Sequence, residues 1–132
     1  MPDSKKWQRW IQYAEGDFAV AMKAGEEYPA QAAFMYHQAG EKFLKAVLVM
    51  QNKPVPRTHD LQDLMMAITP NITELPPYSL SVAELLTEIM PIGRYPSDLP
   101  EPNAAELAAL QKACQLLRSY ANEMIAQHGR QP

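Results

Sequence analysis

Apolar residues recur at three- and four-residue spacings along nearly the whole chain, and no segment sustains the alternation a strand requires. Trp7, Trp10, Ile11, Ala14, Phe18, Ala21 and Met22 mark a first helix from about Ser4 to Glu26, with Gly25 and Pro29 ending it. A second is expected from about Ala30 to Gln51, with Pro29 suited to its first turn and Asn52, Lys53 and Pro54 to its end. Stepped at 100° per residue, Ala33, Tyr36, Ala39, Gly40, Phe43, Leu44, Val47, Leu48 and Met50 fall on one broad arc. That arc is wider than a half-exposed helix needs, so this helix is expected to be the most buried. The remaining sector holds Gln38, Glu41, Lys42 and Lys45, with His37 at its edge.

A shorter helix is predicted from about His59 to Ile68, with Leu61, Leu64, Met65 and Ile68 inward and Pro70 as its stop. Ser81-Val-Ala-Glu84 reads as a capping box opening a fourth helix that ends against Pro91. Asn103-Ala-Ala-Glu106 repeats the logic before a last helix, about Ala104 to Gln127. There Leu107, Leu110, Cys114, Leu117, Ala121 and Met124 form a bundle seam. The fold class is all-α: an antiparallel up-and-down bundle of four main helices plus one short helix.

At 132 residues the chain fits one domain, 1–132, able to bury a core without staples. Cys114 stands alone and the N-terminus lacks the build of a signal peptide, so a cytoplasmic protein is expected. No apolar run approaches the ~20 residues of a membrane span. A net charge of −3 argues against a nonspecific nucleic-acid coat but leaves room for a local basic site. His37, His59 and His128 show no i,i+4 pair, so no metal centre and no cofactor are expected. There is no glycine-rich phosphate loop and no repeat.

The helical code breaks at Pro91-Ile-Gly-Arg94-Tyr95-Pro96-Ser-Asp98-Leu-Pro100-Glu-Pro102, where four prolines in a dozen residues flank a guanidinium beside a phenol. Long loops between short-connected helices tend to carry function. Helix one carries Ala14-Glu-Gly-Asp17-Phe18, and helix two carries Tyr36-His37-Gln38-Ala39-Gly40-Glu41-Lys42-Phe43-Leu44-Lys45-Ala46. The next loop carries Arg57-Thr58-His59-Asp60-Leu61, and the late loop Arg94-Tyr95-Pro96. In this order and spacing they resemble the HEPN domain, over nearly the whole chain. The resemblance implies a helical bundle that forms a symmetric homodimer, often encoded beside a small nucleotidyltransferase. Members include ribonuclease toxins and others that bind nucleotides or partner proteins.

One departure decides the reading. HEPN ribonucleases carry a His four to six residues after the Arg, whereas positions 98 to 100 here read Asp-Leu-Pro and the next His is His128. Without that imidazole the chemistry loses a general acid or base worth about 10²–10⁴-fold. Asp98 could stand in, since a carboxylate can take a proton, but an ordinary Asp is mostly ionised at neutral pH and repels a phosphate. The expectation is therefore a non-catalytic binding module with no catalytic residues. Its ligand is a nucleotide or an anionic part of a partner, in a toxin–antitoxin-like setting with a nucleotidyltransferase. The alternative is a metal-independent ribonuclease with a degenerate Arg/His motif; whether RNA is bound stays open.

The candidate ligand-binding residues are Arg94, Tyr95, Lys42, Lys45, Asp17, Glu41 and His59. The fork of Arg94 suits an oxyanion or, equally, an ion pair with Asp17 or Glu41 that pins the loop. Tyr95 either stacks on a base or plugs its ring into the bundle. Lys42 and Lys45 offer a cationic lip or a solvated face in which Lys45 pairs with Glu41. His37 reads as a satisfied core-edge histidine, His59 as a helper at the start of the third helix. Trp7 and Trp10 read as core or dimer anchors.

Overall fold

The computed structural model describes residues 6–94, 96, 98 and 100–130, with backbone only for 90–94 and 130. The chain order is α1 (Lys6–Ala24), a 3-10 turn (Gly25–Glu27), α2 (Pro29–Met50), α3 (Leu61–Ile68), a second 3-10 turn (Ile72–Glu74), α4 (Ser79–Arg94) and α5 (Ala104–Arg130). There is no strand among the described residues. Four long helices and one short helix make the all-α bundle that the periodicity predicts.

Helix α2 is the axis. It packs on α1, α3, α4 and α5, and α1 lies along it over more of its length than any other element. The pairing is antiparallel, with Trp10 beside Lys45 near one end and Phe18 edge-on to Tyr36 near the other, ring centroids 5.9 Å apart. Buried alanines on both partners, Ala14 and Ala21 on α1 and Ala32, Ala33 and Ala39 on α2, allow close approach. The α3 residues Leu61, Leu64, Met65 and Ile68 are buried as predicted, and so is the α5 seam from Leu107 to Ala121.

Local chemistry sets the ends. Pro29 opens α2, where a missing amide is harmless. Asn52, in the left-handed region at φ 57°, closes it. Its amide bonds to Val49 and that of Lys53 to Leu48, both at 3.0 Å, which satisfies two orphan carbonyls as in a Schellman motif. Asn103 and Glu106 form the expected reciprocal capping box on α5, at 2.8 and 3.1 Å.

Three expectations are corrected. The third helix starts at Leu61, because the Asp60 side chain accepts from the amides of Gln62 and Asp63, and His59 is not its cap. The fourth starts at Ser79, whose amide reaches the Pro76 carbonyl; the Ser81 hydroxyl donates instead to the Tyr78 carbonyl, so Ser81–Glu84 is not the cap. That helix also continues past Pro91 to Arg94. Arg94 thus belongs to the last turn of α4 and not to the Pro-rich loop, and Tyr95 lies outside the described residues.

Gly40 marks where the helices converge. A Cβ there would sit 3.1 Å from Leu117, 3.2 Å from Leu86 and 3.3 Å from Leu61, one methyl each from α5, α4 and α3. Gly→Ala in a helix ordinarily gains about 1 kcal/mol, but three leucines from three helices must all yield, and such overpacking costs about 1–3 kcal/mol. Gly40→Ala is expected to lower stability by about 1 kcal/mol and Gly40→Val by more, read by urea denaturation. A stabilised Gly40→Ala variant would show that the contact is slack.

Candidate functional site

On the sector of α2 that turns toward α1 and the α2–α3 loop, polar residues lie in the bundle instead of in solvent. Glu41 is 5% exposed, and His37 is fully buried, which corrects its placement at the edge. Buried polar groups need partners. The Glu41 carboxylate accepts from Lys45 Nζ at 2.9 Å and from His59 Nδ1 at 2.8 Å. His37 Nε2 meets the His59 carbonyl at 2.8 Å, and its Nδ1 faces the Gln38 amide at 3.3 Å. The loop Arg57–Asp60 is therefore fastened to α2 through both the side chain and the backbone of His59. Its imidazole is 49% exposed.

The titration behaviour follows from this packing. Burial pushes the His37 imidazole below its ordinary range, and the bond to the His59 carbonyl and the Glu41 charge offset this only in part. Burial pushes Glu41 upward, but the hydrogen bonds from His59 and Lys45 outweigh it and leave the carboxyl below its ordinary range.

One turn away, Lys42 donates to Asp17 on α1 at 2.5 Å. Lys42 Nζ and the Arg9 guanidinium each lie 5.9 Å from the centroid of the Tyr13 ring, and Lys45 Nζ lies 5.9 Å from that of Trp10. Beside these residues opens a cleft of about 450 Å³ lined by Lys6, Arg9, Trp10, Tyr13 and Lys42.

Five of the seven predicted residues fall into two contact sets, Asp17 with Lys42 between α1 and α2, and Glu41 with Lys45 and His59 between α2 and the α2–α3 loop. The Arg94 side chain, considered as a partner for Asp17 or Glu41, lies outside the described residues. The predicted Glu41–Lys45 pair forms, but with a buried carboxylate and not on a solvated face. Arg94 ends α4, and Tyr95 is outside the described residues. Sequence reading missed Lys6, Arg9 and Tyr13 and took Trp10 only as an anchor. The signal was present: Lys6, Arg9, Trp10 and Tyr13 fall at i, i+3, i+4 and i+7, the same periodicity used to find the core. Among the described residues no group of three or more His, Cys, Asp or Glu is placed to hold a metal, and no helix is long and apolar enough to cross a membrane.

This bundle is that of the HEPN domain, whose family description matches residues 7–125; the chain belongs to that family. Two solved structures share the fold. TT1696 from Thermus thermophilus superposes with a TM-score of 0.77 at 22% identity, over 91% of this chain and 98% of that one. ST0689, an archaeal HEPN homologue, gives 0.72 at 23% identity, over 90% and 97%. No curated protein matches the chain.

Both lowered pKa values act on stability in one direction. Each group takes up its proton more readily when unfolded, so its contribution is intact at high pH and lost as pH falls. Stability is expected to be level above about pH 7 and to decline as pH drops below 6.5, the ordinary value for His37, then again below 4.5, that for Glu41. His37→Gln should abolish the upper decline and Glu41→Gln the lower one, as measured by denaturation midpoints from pH 8 to 3.5. An upper limb unchanged in His37→Gln would locate the sensitive proton elsewhere.

Proposed function

We propose that this chain is a cytoplasmic, non-catalytic HEPN-type binding module. In this reading it is a homodimer and the companion of a small nucleotidyltransferase in a toxin–antitoxin-like pair, and it takes up a nucleotide or an anionic part of that partner. The supporting observation is the cationic cleft between α1 and α2 in a chain of net charge −3, with Lys42 and Lys45 each held by a carboxylate at its margin. The guanidinium of Arg94 has the chemistry for bidentate recognition of an anion. Beyond the cleft, exposed Val20 and Met22 give α1 apolar surface for a second copy. The order of motifs adds family habit to this chemistry.

A second reading, the metal-independent ribonuclease, draws on one observation. The imidazole absent after Arg94 has a counterpart in His59, which is oriented through Nδ1 by a buried carboxylate and half exposed. An oriented imidazole of this kind suits proton transfer.

The two readings separate in a pair of assays. For a binding module, ATP, GTP or inorganic phosphate raises the melting temperature, with stabilisation of about 2.7 kcal/mol at a hundred-fold excess over Kd. Arg94→Lys keeps the charge but loses the fork, so it should weaken this ligand effect while leaving the free protein's melt nearly unchanged. A mixed RNA pool should stay intact with or without divalent metal. Cleavage that survives repurification and disappears in His59→Ala would favour the ribonuclease. A melt insensitive to every anion would sink the binding reading.

A further inference from the structure

We propose that the cavity between the C-terminal turns of α2 and α5 binds one soft monovalent metal ion of the Cu(I) class, with the thioethers of Met50 and Met124 and the imidazole of His128 as its ligands. The site lies apart from the α1–α2 cleft and does not depend on the binding-module reading. Helices α2 and α5 run parallel, as two contacts show: Tyr36 donates to Gln111 at 3.4 Å, and a Cβ on Gly40 would meet Leu117 at 3.1 Å. Continued along both helices, that register brings Met50 level with Met124. His128 follows Met124 at i+4, on the same face of α5 and one turn nearer its C-terminus. The three donors line one cavity of about 270 Å³, with Gln51 and Gln127 completing its wall. Pockets that enclose organic ligands run from about 300 to 1,000 Å³, so this one suits a smaller occupant.

The donor set decides the class of ion. Thioethers are soft, polarisable donors that select Cu(I), and imidazole suits copper as well, whereas calcium and magnesium require carboxylates, carbonyls and water. Among the described residues no carboxylate lines the cavity, so the ligands are neutral and a monovalent ion leaves the least charge unbalanced. Two features of the wall favour a positive charge. The last turn of α2 carries no basic residue, so the negative end of its dipole meets the cavity without a cation from that turn. Gln51 Nε2 donates to the Ile68 carbonyl at 3.5 Å, while its Oε1 is buried with no hydrogen-bond partner among the described residues. A buried acceptor in that condition is rare and attracts a cation or a water bound to one. Met50 is buried and Met124 packs against the core, so both side chains are held by the bundle, and the exposed His128 faces the medium from which an ion arrives. Gap filling by two flexible side chains explains their burial but gives no role to the orphan oxygen or the imidazole. A pair of histidines at helical spacing is the usual sequence signal for a metal site; here the i,i+4 pair is a methionine and a histidine, which that search passes over.

The test uses the full chain without an affinity tag, with Cu(I) kept reduced by ascorbate and offered as its coloured bicinchoninate complex. The protein is expected to draw one equivalent of Cu(I) from that complex. Met124→Leu, which nearly conserves volume, and His128→Gln should each weaken binding about ten-fold or more, at least the loss that follows when a group that merely orients a metal ligand is removed. Ag(I), a redox-stable ion of the same soft class, locates the site by methyl NMR. It should shift the ε-methyl resonances of Met50 and Met124 among the eight methionines and leave those of the exposed Met22 and Met66 in place. Equal shifts at Met22 and Met66 would mark adventitious surface binding and overturn the site. Cu(I) binding that survives both substitutions but disappears in Cys114→Ala would assign the ion to the buried thiol instead. Failure to compete with bicinchoninate, or Zn²⁺ held as tightly as Cu(I), would contradict the soft-donor assignment.

Discussion

The burial of α2 governs this molecule. A helix apolar over most of its circumference must be covered on most sides, and α1, α3, α4 and α5 supply the cover. The connecting segments, the Schellman turn at Asn52, the Asp60 cap and the Asn103–Glu106 box, serve to bring those covering helices back to the same axis. Gly40 sets how near three of them come. A methyl group at that position touches leucines on α3, α4 and α5 at once.

Covering α2 so fully places its few polar side chains in a low-dielectric setting, where each requires a partner. Glu41 takes Lys45 from its own helix and His59 from the following loop; His37 takes the His59 carbonyl. The packing constraint therefore produces a fixed set of charged groups, and it fixes the loop that bears His59 as well. Along the seam with α1 the same geometry leaves Lys42 bonded to Asp17 and facing an open cleft walled by Trp10 and Tyr13. Structural polar satisfaction and an open cleft meet at adjacent residues, Glu41 and Lys42.

Much of this was legible from periodicity. The inward faces of α2, α3 and α5 follow from three-four spacing because each buries one continuous stripe, and the bounds of α2 follow from Pro29 and Asn52, whose conformational preferences act locally. The misreadings have equally local causes. Ser81 and Glu84 have the residue types of a capping box, but the Ser79 amide already bonds to the Pro76 carbonyl, so the helix is under way before Ser81 is reached. Pro91 stops many helices, yet α4 continues through it for one more turn. Glu41 and His37 looked peripheral on a helical wheel, which records angle but not what covers that angle. Once the His59 loop folds over α2, that sector is interior. The stripe Lys6, Arg9, Trp10 and Tyr13 is hard to read from sequence because Trp10 serves equally well as a core or a dimer anchor, and spacing alone does not tell which rings stay exposed. Tyr13 is 55% exposed.

Amide chemical-shift mapping by two-dimensional NMR during titration with AMP tests the central claim most directly, that the α1–α2 seam is both the polar heart of the bundle and its ligand surface. The account predicts saturable shifts concentrated on α1 from Lys6 to Asp17 and on α2 from Glu41 to Lys45, with weaker ones at His59 through its bond to Glu41. Shifts confined to α5 or to the 3-10 turn at Ile72–Glu74, or none at millimolar AMP, would contradict it.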